Sequence, residues 1–368
     1  MEMIRIGDVC DVIDGPHATP KKTNDGPVYL GIDAISSDGR INEAEYAYLS
    51  EEDYKKWTRR VEPRYGDLVF SYEATLGRYA LIPEGFRGAL GRRLAVIRPK
   101  SNQINIKWLL YYFLSPSWTA FIKNNTVKGS TVDRISVEDF PDFKIPYISR
   151  EQQDRIVSIL APIDEKIENN KKINDNLYKS AETKYNYWFN QLNDSLPAGW
   201  IRKSVHQLLT VTTGREDANF STDNGIYPFF TCSSDTLCCD TPAFEGHAIL
   251  IAGNGDFNVK HYTGKFNAYQ RTYVLIPNES IYYGAIYFAA SQSIRKFKAG
   301  SNGSIVKFIT KGDVENISIV IPDKNGYFEE LNQYLFSIEA NNQEINTLTS
   351  LRNWLLPLLM NGQATIAD

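Results

Sequence analysis

The chain has 368 residues, of which 42% are hydrophobic and 23% charged, a composition typical of a globular protein with room for two domains. The net charge of -4 and the pI near 5.7 argue against a uniformly basic nucleic-acid binder. No apolar run reaches membrane-spanning length, the N-terminus lacks a signal-peptide pattern, and four unevenly spaced cysteines are typical of reduced thiols, so we expect a cytoplasmic protein with no membrane contact.

Residues 1–150 predict a first domain of mixed strands and helices. The predicted elements are strands at 5–13, 28–35, within 66–83 and at 89–99, and helices at 50–60 and 106–123. Ser50 is the predicted N-cap of the first helix, because Glu51, Glu52 and Asp53 follow it. Residues 55–134 carry 15 basic against five acidic side chains, which predicts one basic face.

Residues 151–192 predict a long helix with a coiled-coil seam, because apolar residues recur there every seven positions. Such a helix of about 38 residues is roughly 57 Å long. Residues 323–368 contain a second heptad segment and the tail, and the two helices are each other's obvious partners. The residues predicted to pair the helices are Ile156, Ile163, Asn170, Leu177, Leu331, Ile338, Ile345 and Leu359.

Two polar or breaking residues qualify the first helix. Asn170 lies in the seam, where a buried amide needs a partner and therefore fixes the register, although a solvated break in a modest coil is an open alternative. Pro162 lacks the N–H that a helix interior uses, so we expect a kink or a restart near residues 161–163.

Residues 193–322 predict a linker and a second domain that repeats the first. VIDG at 12–15 recurs as VTTG at 211–214, GDLVFS at 66–71 as GHAILI at 246–251, LGRRLAVIRP at 90–99 as AYQRTYVLIP at 268–277, KGSTVDRIS at 128–136 as NGSIVKFIT at 302–310, and FKIP at 143–146 as IVIP at 319–322. From residue 66 onward the offset ranges from 174 to 180. Residues 257–311 carry eight basic side chains against one acidic, so each domain has a basic segment. Two contacts with a polyanion are favoured over two solvated surfaces.

The sequence predicts no catalytic residue, no metal site and no cofactor bound by this chain. It lacks the Asn/Asp-Pro-Pro-aromatic segment of an adenine methyltransferase and the GxxxxGK[ST] phosphate loop of an ATP-driven motor. The cysteines and histidines of the second domain show no C-x2-C spacing, which argues against zinc.

Several short segments together resemble one known family. A domain ending in GS-x-V-x-x-I, the EQQ-x-RIV start of the first heptad helix, the LP-x-GW entry to the second domain and the closing LLPLLMNGQ are similar to the specificity subunit of a type I restriction-modification system. The second heptad segment, GYFEELNQYLFSIEA, departs from the EQQ-x-RIV wording of the first.

The resemblance implies an α+β fold with two target recognition domains, related by a pseudo-twofold and separated by two long antiparallel coiled-coil helices. Each domain would recognise one half of a bipartite double-stranded DNA target, and the helices would set the spacing. The implied partners are two methyltransferase subunits on the helices and nuclease-translocase subunits, with S-adenosylmethionine, ATP and magnesium bound by those partners.

Hydrogen-bonding side chains on loops of the basic segments are the candidates for DNA contact, because phosphate contacts fix position and base edges supply sequence. The candidates are Thr75, Arg78, Arg92, Arg93, Lys128, Ser130, Thr131 and Arg134 in the first domain, and Asn254, Lys260, Gln270, Arg271, Ser301, Asn302, Ser304 and Lys307 in the second. A turn position without contact is the alternative for each of them. For the whole chain, the alternative is a coiled-coil scaffold with two domains that bind protein or glycan.

Overall fold

The structure is a computed structural model that describes residues 2–129, 132–192, 195–299 and 308–363. The chain divides into two compact units: Met1–Lys166 with Leu348–Asp368, and Ile167–Thr347. Both long helices therefore contribute residues to both units, whereas the four predicted segments assigned each helix to a segment of its own. In the part of the chain that is described, no helix is both long and apolar enough to cross a membrane.

The first unit contains strands and short helices that precede the first long helix. Its elements are β1 (Met3–Arg5), α1 (Ile6–Val9), β2 (Cys10–Asp14), β3 (Thr23–Leu30), β4 (Ala47–Tyr48), α2 (Glu51–Trp57), β5 (Leu68–Ser71), β6 (Tyr79–Leu81), β7 (Gly88–Leu90), β8 (Leu94–Pro99), α3 (Ile106–Phe113), α4 (Pro116–Asn124) and β9 (Lys144–Pro146), followed by α5 (Arg150–Tyr185). As predicted, Ser50 caps α2, its side chain accepting the Asp53 N–H at 3.1 Å.

The strands of the first unit form sheets in the orders β2-β8-β5-β6 and β4-β3-β7, and β1 pairs with β9. One face of β5 and β8 packs on α3, α4 and the adjoining ends of the long helices, in a core that holds Trp108, Phe113 and Trp118. The other face packs towards β3 and β7, around Val69 and Val96. The central strands are buried on both faces, which explains their nearly continuous apolar sequence.

The second unit has a similar but not identical order of elements. They are β10 (Ile201–Ser204), β11 (Thr212–Thr213), β12 (Tyr227–Phe230), β13 (Thr236–Cys239), β14 (Phe244–Ala252), β15 (Val259–Ala268), β16 (Thr272–Leu275), α6 (Tyr283–Ala299), α7 (Lys311–Glu315) and β17 (Ser318–Ile321), followed by α8 (Gly326–Met360). Its main sheet has the order β11-β16-β14-β15-β12-β13, and β10 pairs with β17 as β1 does with β9.

Equivalent backbone hydrogen bonds connect equivalent strands in the two units, which supports the duplication predicted from sequence. The pairs, each given from N–H donor to carbonyl acceptor, are Gly15 to Leu94 and Gly214 to Thr272, Gly91 to Leu30 and Tyr269 to Phe230, Tyr72 to Arg93 and Gly253 to Arg271, and Ile135 to Tyr72 and Ile309 to Gly253. All eight bonds are 2.7–3.1 Å long. The repeated glycine at 15 and 214 has a steric reason, because a Cβ there would lie 2.9 Å from the Leu94 oxygen or 2.0 Å from the Ala268 oxygen.

The strand register corrects the sequence alignment of the repeats by one residue. Ser71 pairs with Leu94 and Ala252 with Thr272, so β14 follows β5 at an offset of 181 rather than the 180 obtained by matching GDLVFS with GHAILI. The two faces of the strands explain the difference. Leu68 and Ile249 both pack on the helix side of their sheets, whereas the sequence alignment placed Leu68 over Ala248, which faces the opposite side.

Segments of α5 and α8 run antiparallel within each unit. In the first unit, Ile156 and Leu160 share a core with Leu356 and Leu359. In the second unit, the Asn170 amide donates to Glu344 at 2.7 Å, and Lys184 pairs with Glu330 further along. Of the predicted pairing residues, those that are buried are Ile156, Asn170, Leu331, Ile338 and Leu359, and those that are partly buried are Ile163, Leu177 and Ile345.

A kink or a restart was expected near Pro162, and of these two the restart does not occur, because α5 is continuous from Arg150 to Tyr185. Proline removes a single helical hydrogen bond. Leu160 and Ala161 beside it are buried and hold the helix against its neighbours.

Candidate nucleic-acid interface

Three segments meet at one edge of the first unit: turn A (72–78, between β5 and β6), turn B (91–93, between β7 and β8) and segment C (the described residues 127–129 and 132–135, after α4). The Tyr72 N–H donates to the Arg93 carbonyl at 3.1 Å, and the Ile135 N–H donates to the Tyr72 carbonyl at 2.8 Å. The Ala74 N–H donates to the Asp133 carbonyl at 3.2 Å. These bonds hold segments that are distant in sequence as one surface.

Three predicted DNA-contacting residues of this edge lie together. Thr75, Arg92 and Arg93 line a surface pocket of about 370 Å³, together with Thr19 and Lys22 from the loop after β2. The Arg92 side chain is exposed, and no other described residue forms an ion pair or hydrogen bond with it. Sequence reasoning missed Thr19 and Lys22, although their position directly after the repeated VIDG segment was a usable signal.

Arg93 is fixed more firmly than its neighbour. Its Nε atom lies 3.0 Å from Glu73 Oε1 on turn A, with side-chain exposures of 30% and 27%. Glu73 was not among the predicted residues, because an acidic side chain inside a basic segment resembles simple charge balance. The pair places a guanidinium and a carboxylate side by side on the same surface.

The other predicted residues of the first unit lie around this edge with different environments. Arg78 is partly buried, and its Nη1 donates to the Ile35 carbonyl at 2.7 Å, so part of its fork is engaged within the protein. Arg134 is exposed, and its backbone exchanges hydrogen bonds of 2.9 and 3.1 Å with Val127. Lys128 is exposed and lines a separate pocket of about 330 Å³.

The second unit builds the same edge from turn A′ (253–258, after β14), turn B′ (269–271, before β16) and the described start of segment C′ (308–310). The Gly253 N–H donates to the Arg271 carbonyl, and the Ile309 N–H donates to the Gly253 carbonyl, both at 2.9 Å. Arg271 is exposed, and Asn254, which follows Gly253 on turn A′, is half-buried. The exposed Gln270 amide donates to Asp217 at 2.7 Å.

Lys260 has an environment different from that of Arg271. Its ammonium donates to the carbonyls of Thr231 at 3.4 Å, Asp235 at 3.5 Å, and Ser233. Burial lowers the pKa of Lys260 below its ordinary value. In the structure, this side chain ties the 231–235 loop to β15.

Six predicted residues, Ser130, Thr131, Ser301, Asn302, Ser304 and Lys307, lie outside the described residues.

Backbone strain accompanies these turns. Among the described residues other than glycine, positive φ angles occur at Ala74 (69°) in turn A, Arg93 (76°) in turn B and Phe257 (47°) in turn A′. Such conformations cost on the order of 1–3 kcal/mol each and cluster at functional sites. All three strained positions lie in the turns that carry the candidate residues.

Part of the outer surface of α8 is apolar. Leu351 is 42% exposed and Trp354 is 63% exposed, three residues further along the helix. Both lie outside the predicted heptad seam. Large exposed apolar side chains at this spacing are typical of a surface that a partner covers.

Within the described ranges, no group of three or more His, Cys, Asp or Glu side chains is arranged to hold a metal ion.

Comparison with known proteins identifies the class of protein. Residues 1–179 and 197–350 match the model of the type I restriction modification DNA specificity domain, and the chain belongs to this family. It is a specificity subunit with DNA sequence recognition domains, the function that the resemblance implied. Nothing in the comparisons supports a scaffold that binds protein or glycan.

Individual relatives agree with this assignment. The type I restriction enzyme EcoDI specificity subunit of Escherichia coli is 36% identical over 177 residues, which are 46% of this chain and 40% of that protein. The type I restriction enzyme MjaIX specificity subunit of Methanocaldococcus jannaschii is 24% identical over 377 residues, covering 88% of this chain and 85% of that protein. The crystal structure of a type I system S subunit from M. genitalium superposes with a TM-score of 0.64 at 16% identity, covering 97% and 95% of the chains, and supports the fold.

Proposed function

We propose that each unit of this chain recognises one half of a bipartite double-stranded DNA target. The observation that carries the proposal is the repeated edge: the same hydrogen bonds bring Arg93 to the surface of the first unit and Arg271 to that of the second. A duplicated surface of this kind supplies two contacts to a duplex, each with its own side chains. Two different half-sites follow from the different residues on the two edges.

The side chains divide into two kinds of contact. Arg92 and Arg271 have exposed forks suited to the two acceptors of guanine, and Asn254 and Gln270 have amides suited to adenine. Lys22 and other exposed cations beside the turns contact phosphate, which fixes the position of the unit without carrying sequence information.

The long helices act as the spacer between half-sites. In the second unit, Asn170 is 1% exposed and bonded to Glu344, and the Asn341 amide donates to Asn174 at 2.8 Å. Paired polar groups inside a seam oppose sliding of one helix along the other, because a shifted register leaves them buried without partners. A fixed register gives the target a fixed gap.

The chain serves recognition and leaves catalysis to its partners. Two methyltransferase subunits bind the helices, with Leu351 and Trp354 on the docking surface, and nuclease-translocase subunits join for cleavage. S-adenosylmethionine, ATP and magnesium belong to those subunits. The charged and aromatic content of the helices supports this arrangement, since an exposed tryptophan is the residue type most enriched at the centre of interfaces.

The test is to co-express the chain with its methyltransferase subunit and map methylated adenines across a genome. We expect a split motif with a fixed gap, and we expect Arg93→Ala and Arg271→Ala to weaken different halves of it. Lys144→Ala on β9 and Lys203→Ala on β10 are matched controls, because they remove a cation from each unit away from the turns. If both arginine variants weakened the same half, or neither changed methylation while the complex assembled, the two-unit proposal would be wrong.

A further inference from the structure

The corrected strand register pairs two positions that the sequence alignment did not. Glu73 on turn A is equivalent to Asn254 on turn A′ at an offset of 181, and Arg93 is equivalent to Arg271 at an offset of 178. In each unit a backbone hydrogen bond joins the arginine of one turn to the residue that precedes residue 73 or its equivalent on the other turn. The arginine is common to both units, and its neighbour is the variable member.

Both members of the pair in the first unit are held from their backbones. The carbonyl of Arg93 accepts the Tyr72 N–H, and the residue adopts a φ of 76°. Glu73 lies opposite Arg134 in a β-bridge between turn A and segment C. Both backbones are therefore tied to neighbouring segments of the same edge.

The ion pair leaves the groups that recognise bases available. The closest atoms of the ion pair are Arg93 Nε and Glu73 Oε1, and no described residue accepts a hydrogen bond from the Arg93 guanidinium. The carboxylate has lone pairs left for a further donor, because no described residue donates a hydrogen bond to its oxygens. About 30% of each side chain is exposed, and Arg93 lines the same pocket as Arg92.

A donor fork beside an acceptor matches one base pair in the major groove. Guanine presents two acceptors, O6 and N7, to an arginine fork, and cytosine presents its N4 amino group to a carboxylate. In an A·T pair, adenine presents one acceptor and one donor, which an arginine fork cannot satisfy. In the second unit the equivalent neighbour is Asn254, an amide that both donates and accepts.

We propose that Glu73 and Arg93 act as one recognition pair that specifies a G·C base pair in the half-site of the first unit. Glu73 positions the arginine fork and rejects bases that offer an acceptor where cytosine offers its amino group. Asn254 occupies the same place in the second unit and makes that unit prefer a different base pair there. The inference rests on the proposed recognition of DNA by both units.

The test is Glu73→Gln in the assembled complex, with methylated adenines mapped at wild-type and altered sites. Glutamine keeps the size of the side chain but removes the charge that holds Arg93 and adds a donor. We expect one G·C position in the half-site of the first unit to be relaxed, with discrimination there reduced about 5- to 150-fold, the range of a good bidentate contact. The other half-site keeps its specificity.

Two further variants separate the possible outcomes. Glu84→Gln removes a charge from an exposed turn of the same unit and serves as the matched control, expected to leave the motif unchanged. Arg93→Lys keeps the charge without the fork and is expected to relax the same position as Glu73→Gln. Thermal unfolding of each purified complex checks that the unit is folded.

Three results would overturn the proposal. If Glu73→Gln left the motif unchanged while Arg93→Ala still weakened the half-site, Glu73 would have no part in recognition, although the proposal that the unit recognises DNA would stand. Uniformly lower methylation, with no position relaxed, would make Glu73 structural. Relaxation at an A·T position would refute the G·C assignment. Loss of both the Glu73 and the arginine effects would instead contradict the proposed function itself.

Discussion

Arg352 occupies a heptad position of α8 where an apolar residue is expected, and its partner makes a quantitative prediction. Within the first unit, its Nη1 lies 3.0 Å from Asp164 Oδ1 on α5, with side-chain exposures of 14% and 23%. The hydroxyl of Tyr111 donates to the other oxygen of Asp164 at 2.7 Å. Burial and the adjacent Asp164 raise the pKa of Tyr111, so its hydroxyl remains a donor at neutral pH. We therefore expect this charge pair to stabilise the contact between the helices.

The magnitude follows from the degree of burial. Breaking a fully buried ion pair costs about 3–5 kcal/mol, and an exposed pair contributes about 0–1 kcal/mol. The Asp164–Arg352 pair lies between these limits. We expect Arg352→Met and Asp164→Asn each to lower the free energy of unfolding by about 2 kcal/mol. In the double variant the two losses should not add, giving a coupling of about 1–2 kcal/mol.

The assay is a double-mutant cycle in which urea unfolding of each variant is monitored by circular dichroism. Hydrogen exchange of the amides at 150–166 assigns the loss to the first unit. The exposed pair Glu151 and Arg155 on the same helix is the control, since its side chains are 75% and 41% exposed at a separation of 2.9 Å. Its coupling should stay below about 0.5 kcal/mol. An Asp164–Arg352 coupling as small as that of the control would refute the reasoning.

Two further predictions concern the second unit and the partner. His261 Nδ1 lies 2.8 Å from Glu339 Oε1, and the Tyr283 hydroxyl donates to the same Glu339 oxygen at 2.5 Å. Burial alone would raise the pKa of Glu339, but these hydrogen bonds hold its pKa below the ordinary value. The ionised carboxylate of Glu339 therefore stabilises the fold at pH values above its pKa in the unfolded chain, and this contribution is lost as the pH falls through its pKa in the folded protein. We expect the difference in the free energy of unfolding between wild type and Glu339→Gln, measured in urea, to become smaller from pH 7 to pH 3. A difference that stays constant would contradict this. Trp354→Ala should weaken binding of the methyltransferase subunit, measured by calorimetry, by about 30-fold or more, which is the effect of a 2 kcal/mol hot spot. Ser350→Ala on the same helix is the control and should leave the affinity unchanged. Equal affinities of wild type and Trp354→Ala would exclude Trp354 from the interface.

Periodicity was enough to predict much of the architecture. The seven-residue recurrence from Ile156 to Leu177 predicts a long helix whatever surrounds it, because side chains seven apart lie on one helix face. The duplication was visible from recurrence over a longer distance, because VIDG, LGRRLAVIRP and their copies keep their order and approximate spacing. Ser50 was identifiable as an N-cap from local chemistry alone.

The candidate interface was only partly predictable. Arg92, Arg93 and Arg271 were accessible to sequence reasoning because basic residues stood out in the loops. Glu73 was not, because its role depends on the 3.0 Å approach of a residue 20 positions away. The DNA contact of Lys260 stays a prediction: its charge suggested the contact, and in the structure its ammonium donates to backbone carbonyls.

Helix periodicity, caps and turns depend on residues that are close along the chain, so they could be predicted from the sequence. The existence of a repeat was also visible there, because the copied segments keep their order. Tertiary structure alone decided the register of the repeat, since an offset of 180 or 181 changes no local pattern but moves every side chain of β14 to the other face. The same is true of Arg352, which interrupts an apolar seam in the sequence and finds its charge partner only when α5 and α8 pack together. Local interactions are encoded within a few residues, whereas register and charge pairing depend on which distant faces become buried together.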